Sequence, residues 1–461
     1  MIQHKKPGFW VSVSGLIVLS AAFLSWLNEA ENLSVPELLS ALASAALFAA
    51  VCLRFVTEWM RSWQKATPRG NTYPETINSA NTEPPFIEFK IFVSLISLNA
   101  LVVFLVYILR QITGHPGTFR AYLEFWRCTD SGHYLDISRE WYLSDGEWKR
   151  LVQLVFLPGY PIAVRFFSYF IGYDLYSGLI VSALSFAGAG CVLYRLLRLD
   201  FSYEETMRTI KYLCLFPGVF FFTAPMSESL FLLLCASSLY FARTGRWMLG
   251  YFFGGLAAFT RSLGLTLFVP LLFDLISDAI KERGGPGAAG QIKYLAARLF
   301  SLLIIPAGFA LYCCINYFVA GDPFKFMEYQ SQHWHQHLGW FFNTAAYQME
   351  YAIRTFIEKP ENLVGLWIPN IISCFASLVF MLLAEKKMRP SYVAWYIAYY
   401  AIAIGATWLL SAPRYLMALI PVPLSVSIVA RNAKADIFLT ASCAILSLLY
   451  FIPFVMRWQV W

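Results

Sequence analysis

Runs of roughly 20 apolar residues, the length an α-helix needs to cross a bilayer, recur from one end of this sequence to the other. Inside lipid every backbone N–H and C=O must find its partner within the protein, a condition that only helices and closed barrels meet. The runs are continuous and do not alternate, so they specify helices. The fold expected is an all-α polytopic membrane protein with no large soluble domain. Composition agrees, because 58% of the 461 residues are hydrophobic and only 14% are charged, against about 25% charged in soluble domains.

The net charge of +7 does not mark a nucleic-acid binder, since the Lys and Arg residues are dispersed over short segments between apolar runs. That is the distribution that orients membrane helices, with positive loops in the cytoplasm. The nine cysteines occur singly or as Cys313-Cys314, without a CxxC pair, and read as small core residues. The opening MIQHKK leads into an apolar stretch without a cleavage signature, so the first span is expected to be retained.

The positive-inside bias threads the chain as about 13 transmembrane helices, with the N-terminus inside and the end of the sequence outside. Residues 1–57 form an accessory hairpin with spans at 8–27 and 35–56, and 58–90 a flexible cytoplasmic linker rich in Pro, Asn and Thr. Residues 91–461 form the main membrane domain. Its spans are 91–109, 175–194, 208–224, 229–243, 247–260, 263–278, 297–319, 362–384, 391–410, 415–430 and 437–456. The segment 155–172 holds two prolines and Arg165 and is placed as a juxtamembrane or re-entrant helix, which keeps Arg195, Arg198 and Arg208 inside. Two long loops, 110–151 and 320–361, then fall outside the cytoplasm.

Ionisable groups near membrane depth are costly and mark function by default. The first long loop contains FWRCTDSGHYLDISREWY, and eleven acidic or basic residues lie from Arg120 to Arg150 inclusive. Asp130, Ser227-Glu228-Ser229, Arg261-Ser262 and Arg414 all thread to the outer face. One carboxylate-rich loop converging with two arginines describes a site for an anionic, lipid-linked substrate. Asp130 precedes His133 and Tyr134 at the interface, where partial desolvation favours a general base. Its spacing fits a helix N-cap equally well. Asp136, Glu140, Asp145 and Glu147 read as solvated loop charges. Arg261 and Arg414 suit a phosphate, which a guanidinium binds through paired hydrogen bonds, although snorkelling also places arginines near helix ends. His333, His335 and His337 share a short segment with Trp334, Trp340 and Phe341, with no carboxylate at matching spacing. An interfacial amphipathic segment is expected there, and no metal.

The order W-x-x-x-D-S-G-H-Y (126–134), F-L-P-G-Y-P (156–161), L-F-P-G-V-F-F-F-T-A-P-M-S-E-S-L-F (215–231) and T-R-S-L-G-L (260–265) resembles the PIG-V-like mannosyltransferases, which add the second mannose of GPI anchors, and their prokaryotic relatives. The resemblance covers roughly 91–430. In this chain Arg127, Cys128 and Thr129 separate Trp126 from Asp130, where members of the family more often carry the two adjacent. It implies the GT-C glycosyltransferase fold and a polyprenyl-phosphate sugar donor such as dolichyl phosphate mannose. It further implies a glycolipid or glycan acceptor and no cofactor. Asp130 is carried over as the catalytic acid of the first external loop, with His133, Tyr134, Glu228, Arg261, Ser262 and Arg414 as substrate-binding positions. The membrane would be the plasma membrane in a prokaryote and the endoplasmic reticulum in a eukaryote. A lipid or glycan transporter or flippase is the alternative, but it would favour internal repeats and a midplane site, neither of which the sequence displays. A His133-based acyltransferase is a third reading.

Overall fold

The computed structural model describes residues 6–30, 32–65, 83–142, 152–281 and 288–460. Among them there is no strand, only one isolated antiparallel bridge between Leu338 and Ala406. The first hairpin consists of α1 (Lys6–Glu29) and α2 (Val35–Lys65), followed by α3 (Ile87–Ile112). A short α4 (Ser131–Glu140) lies in the first long loop, and α5 (Gly159–Ile171) follows it. Next come α6 (Asp174–Leu197), α7 (Tyr203–Cys214), α8 (Glu228–Arg243), α9 (Trp247–Thr260), α10 (Phe268–Lys281) and α11 (Ala288–Ser301). The remainder comprises α12 (Ile304–Ala320), α13 (Lys325–Trp334), α14 (Phe341–Glu358), α15 (Ile368–Ala384), α16 (Pro390–Ala403), α17 (Pro421–Val429) and α18 (Ala433–Val455).

Eight helical stretches are long and apolar enough to cross a membrane. Large apolar side chains on several of them face outward, among them Ile17, Val18, Phe104, Phe318, Ile437 and Phe438. Lipid is the medium in which such a surface is stable, and the chain is an integral membrane protein. These eight correspond to eight of the 13 crossings read from the sequence; the other five are shorter or broken. The run 208–224 is interrupted after Cys214, because Pro217 cannot continue a helix and Gly218 adopts φ 96°. The run 391–410 ends as helix at Ala403, and 415–430 is split between a short helix at Ala412–Met417 and α17. At 13 residues, α5 spans only about 20 Å.

Two further differences concern loops. Residues 58–65, assigned to the linker, continue α2, and α3 starts four residues before the expected 91; residues 66–82 lie outside the described residues. The second long loop is largely helical. Its α14 buries Phe341, Phe342, Ala345, Ala346 and Ala352, and Ser40 of α2 donates to the Ala345 carbonyl at 2.8 Å. The Trp26 indole donates to Asn343 at 2.9 Å. The N-terminal hairpin thus packs on the C-terminal half of the chain.

Several close helix contacts depend on glycine. A Cβ on Gly308 would lie 2.0 Å from the Gly255 carbonyl oxygen, so α12 and α9 cross backbone to backbone. A Cβ on Gly159 would lie 2.2 Å from the Thr260 hydroxyl, so the start of α5 is seated against the end of α9, beside Arg261. At the other end of α8 a second ionic group forms. Arg243 pairs with Asp200, whose carboxylate also takes Arg389 at 3.3 Å, while Arg389 reaches Asp274 at 3.4 Å. Over its 16 residues α8 separates the two polar ends by about 22 Å.

Candidate active site at the Asp130 cavity

Asp130 stands at the N-cap of α4, yet its side chain accepts no backbone N–H. The neighbouring Ser131 makes the turn instead: its hydroxyl accepts the Cys128 N–H at 2.7 Å and donates to the Trp126 carbonyl at 2.8 Å. Thr129 is left at φ 48°, a left-handed conformation that a β-branched residue adopts only under constraint. Trp126, wholly buried and packed on Phe454 at 5.7 Å, anchors the loop from below. With the capping role taken over, the Asp130 carboxylate is free to turn toward Arg414, whose Nη2 lies 2.8 Å away.

Arg414 belongs to the short Ala412–Met417 helix and is itself buried. Its Nε and Nη2 donate to Oε1 of Glu228 at 3.0 and 2.8 Å. Arg261 sits in extended backbone between α9 and a 3-10 turn over Ser262–Leu267. Its Nη1 donates to the same Glu228 Oε1 at 2.7 Å and to the Ser227 hydroxyl at 3.0 Å. Tyr134 meets that hydroxyl at 3.0 Å. Glu228 is the first residue of α8, where the helix dipole also favours a carboxylate. It is fully buried, and while Oε1 takes all these contacts, Oε2 has no hydrogen-bond partner. The guanidiniums lie near aromatic faces as well, Arg261 at 5.3 Å from Tyr415 and Arg414 at 5.2 Å from Phe221. Two carboxylates and two guanidiniums leave the cluster electrically balanced.

A cavity of about 170 Å³ opens on this cluster, lined by Asp130, Tyr134, Arg261, Ser262 and Arg414 among others. Five of the seven site residues picked out in the sequence therefore share one cavity. Asp130 retains 24% of its side-chain exposure, whereas Arg414 retains 6%. Glu228 and His133 do not line it. Glu228 lies behind the wall as the shared counter-ion of both arginines, and His133 stacks on Phe156 at 4.7 Å. Burial, followed by the nearby His133, lowers the pKa of His333 below its ordinary value.

Asp136, half-buried, and Glu140, exposed, bridge to Arg139; Asp145 and Glu147 lie outside the described residues. Among the described residues no group of three or more His, Cys, Asp or Glu is arranged to hold a metal. The sequence reading did not single out Asp174, which is buried and accepts Arg127 through both oxygens at 3.1 and 3.2 Å. Nor did it anticipate the cavity's far wall, from Phe326 to Gln336 and at Trp408. A Trp and Gln pattern in that segment was the available signal.

No known family matches the sequence, and no curated protein does. Among solved structures the chain is similar to ArnT from Cupriavidus metallidurans bound to undecaprenyl phosphate, at 15% identity and a TM-score of 0.45, over 79% of this chain and 75% of that one.

Proposed function

We propose that the protein is a GT-C-type membrane glycosyltransferase that moves a mannosyl, or more generally a hexosyl, residue from a polyprenyl-phosphate sugar to a lipid-linked or surface glycan acceptor. Transfer takes place on the extracytoplasmic side and inverts the anomeric centre. The observation that carries this reading is the Asp130–Arg414 pair at the mouth of a cavity in a lipid-embedded helical protein, a partly exposed carboxylate 2.8 Å from a buried guanidinium. The ordered resemblance to PIG-V-like enzymes in the segments holding Asp130, Glu228 and Arg261 supports it and is the source of the sugar assignment.

In the reaction, the acceptor hydroxyl gives its proton to the Asp130 carboxylate while its oxygen forms a bond to the anomeric carbon. The bond between that carbon and the phosphate oxygen breaks, and its electron pair leaves with the lipid phosphate. Arg261 and Arg414 face the charge that develops on the phosphate, and their geometry is fixed in advance by Glu228. Because the cluster is neutral beforehand, an arriving phosphate anion competes with Asp130 for Arg414. Binding of the donor would thereby release the base that the acceptor needs. Transfer of radiolabelled mannose from a polyprenyl-phosphate donor to membrane lipid by the purified protein tests the reading. Absence of transfer across a panel of hexosyl donors and membrane acceptors would reject it.

A further inference from the structure

The cavity has two chemically unlike walls. One is the charged cluster. The other combines aromatic rings and uncharged amides: Gln330 and Trp334 of α13, Gln336 just beyond it, and Trp408 after α16. These groups are held in a common frame although Gln336 and Trp408 are 72 positions apart. The isolated bridge at Leu338 and Ala406 ties the segments together, with Gly339 N–H donating to the Gly405 carbonyl at 2.7 Å and Thr407 N–H to the His337 carbonyl at 2.9 Å. Gln336 Nε2 donates to the Trp408 carbonyl at 2.9 Å, and Gln330 Nε2 to Gln336 Oε1 at 2.6 Å. Those bonds use one of the two amide protons on each glutamine.

Both tryptophans are half-buried and braced. Trp408 packs on Tyr347 at 5.6 Å and Trp367 at 6.0 Å, and Trp334 meets Phe156 edge-on at 5.9 Å. Such a wall is poorly suited to a phosphate, which asks for charge. It suits a pyranose ring, which offers polarised C–H groups on a face and hydroxyls around its edge. The negative π-face of an indole takes the former, and amides, which both donate and accept, take the latter.

We propose that Trp334, Trp408, Gln330 and Gln336 form a hexopyranose subsite that holds a sugar ring against the Asp130–Arg414 wall. The assignment rests on the transferase reading and adds the recognition element to it. The ring is that of the donor or of the acceptor, and the two are separable.

The test uses the full-length protein in lipid nanodiscs with two probes, polyprenyl-phosphate mannose and the same polyprenyl phosphate without sugar. If the ring is the donor's, Trp334→Ala raises the Kd for the sugar-bearing lipid roughly tenfold, the size of an aromatic contact. The Kd for the bare phosphate stays at the wild-type value, and Trp334→Phe recovers most of the loss. If the ring is the acceptor's, both lipids bind as in wild type and the acceptor KM rises instead. Gln330→Ala gives the same pattern where Trp334→Ala does not fold. A folded Trp334→Ala protein with unchanged donor Kd and acceptor KM overturns the subsite, as does equal weakening of both lipids. Wild-type protein that binds neither lipid overturns the transferase reading, and the subsite with it.

Discussion

Nη2 of Arg414 is 2.8 Å from a carboxylate oxygen of Asp130 and 2.8 Å from one of Glu228, although Glu228 and Arg414 are 186 positions apart. One guanidinium therefore joins a partly exposed carboxylate at the cavity to a carboxylate sealed behind it. The two acids differ in what their loss should do, and that difference organises the predictions.

Asp130→Asn should abolish sugar transfer and leave the protein folded. The carboxamide keeps the size and an acceptor oxygen for Arg414, and no helix cap is lost because the side chain makes none. What disappears is the proton acceptor, whose contribution to a general-base reaction is about 10²- to 10⁴-fold. Transfer of radiolabelled hexose and the thermal midpoint are measured side by side. Near wild-type transfer by the folded variant would remove Asp130 from the mechanism.

Glu228→Gln should act first on stability. It removes the shared counter-ion of two buried guanidiniums, of which Arg414 keeps Asp130, and breaking a buried pair in this way costs about 3–5 kcal/mol. A fall in thermal midpoint larger than that of Asp130→Asn is expected in detergent and in lipid. Equal midpoints for the two variants would mean that Glu228 does not hold the arginines together.

Arg261→Gln should weaken use of the donor. A charge-assisted hydrogen bond to phosphate is worth about 1.5–3 kcal/mol, so the donor KM or turnover should worsen by about 10- to 150-fold, with acceptor KM unchanged. Steady-state kinetics with varied donor decide it. Wild-type donor kinetics would leave Arg261 with a structural role only, as a partner of Glu228.

The threading predicts which ends of the helices face out. Single cysteines at the exposed positions His115 and Glu361 of a Cys-depleted protein should react with an impermeant maleimide in intact cells. Cysteines at Thr244 and Lys434, also exposed but at the opposite helix ends, should react only after disruption. The reverse pattern would put the cavity on the cytoplasmic side.

The grouping of these charges was more legible in the sequence than the exact course of the helices around them. Charge in an apolar chain is conspicuous, and parity of the positive loops was enough to bring Asp130, Glu228, Arg261 and Arg414 to one face. Which of these acids touches the cavity was not readable, because that depends on Ser131 assuming the turn bonds and on Arg414 arriving from far along the chain. Helices of intermediate polarity were the blind spot. The α14 sequence mixes Phe341, Phe342 and Ala345 with Gln348, Glu350 and Arg354, so no window of it reads as a span. Its stability comes instead from α2, with contacts such as Ser40 to Ala345 across 305 positions. The far wall was missed for the same reason. Trp334 and Trp408 gain meaning only once the bridge at Leu338 and Ala406 brings them together.

The shared oxygen of Glu228 also has a history in time. A ribosome adds about 5–20 residues per second, so the 186 positions between Glu228 and Arg414 take about 10–40 s to make. Arg261 follows Glu228 by only 33 positions and can neutralise it almost at once. Throughout the remaining interval the Glu228 end of α8 has Arg261 and still lacks Arg414. The charged wall is therefore assembled in a fixed order, and it becomes complete only once Arg414 has been made.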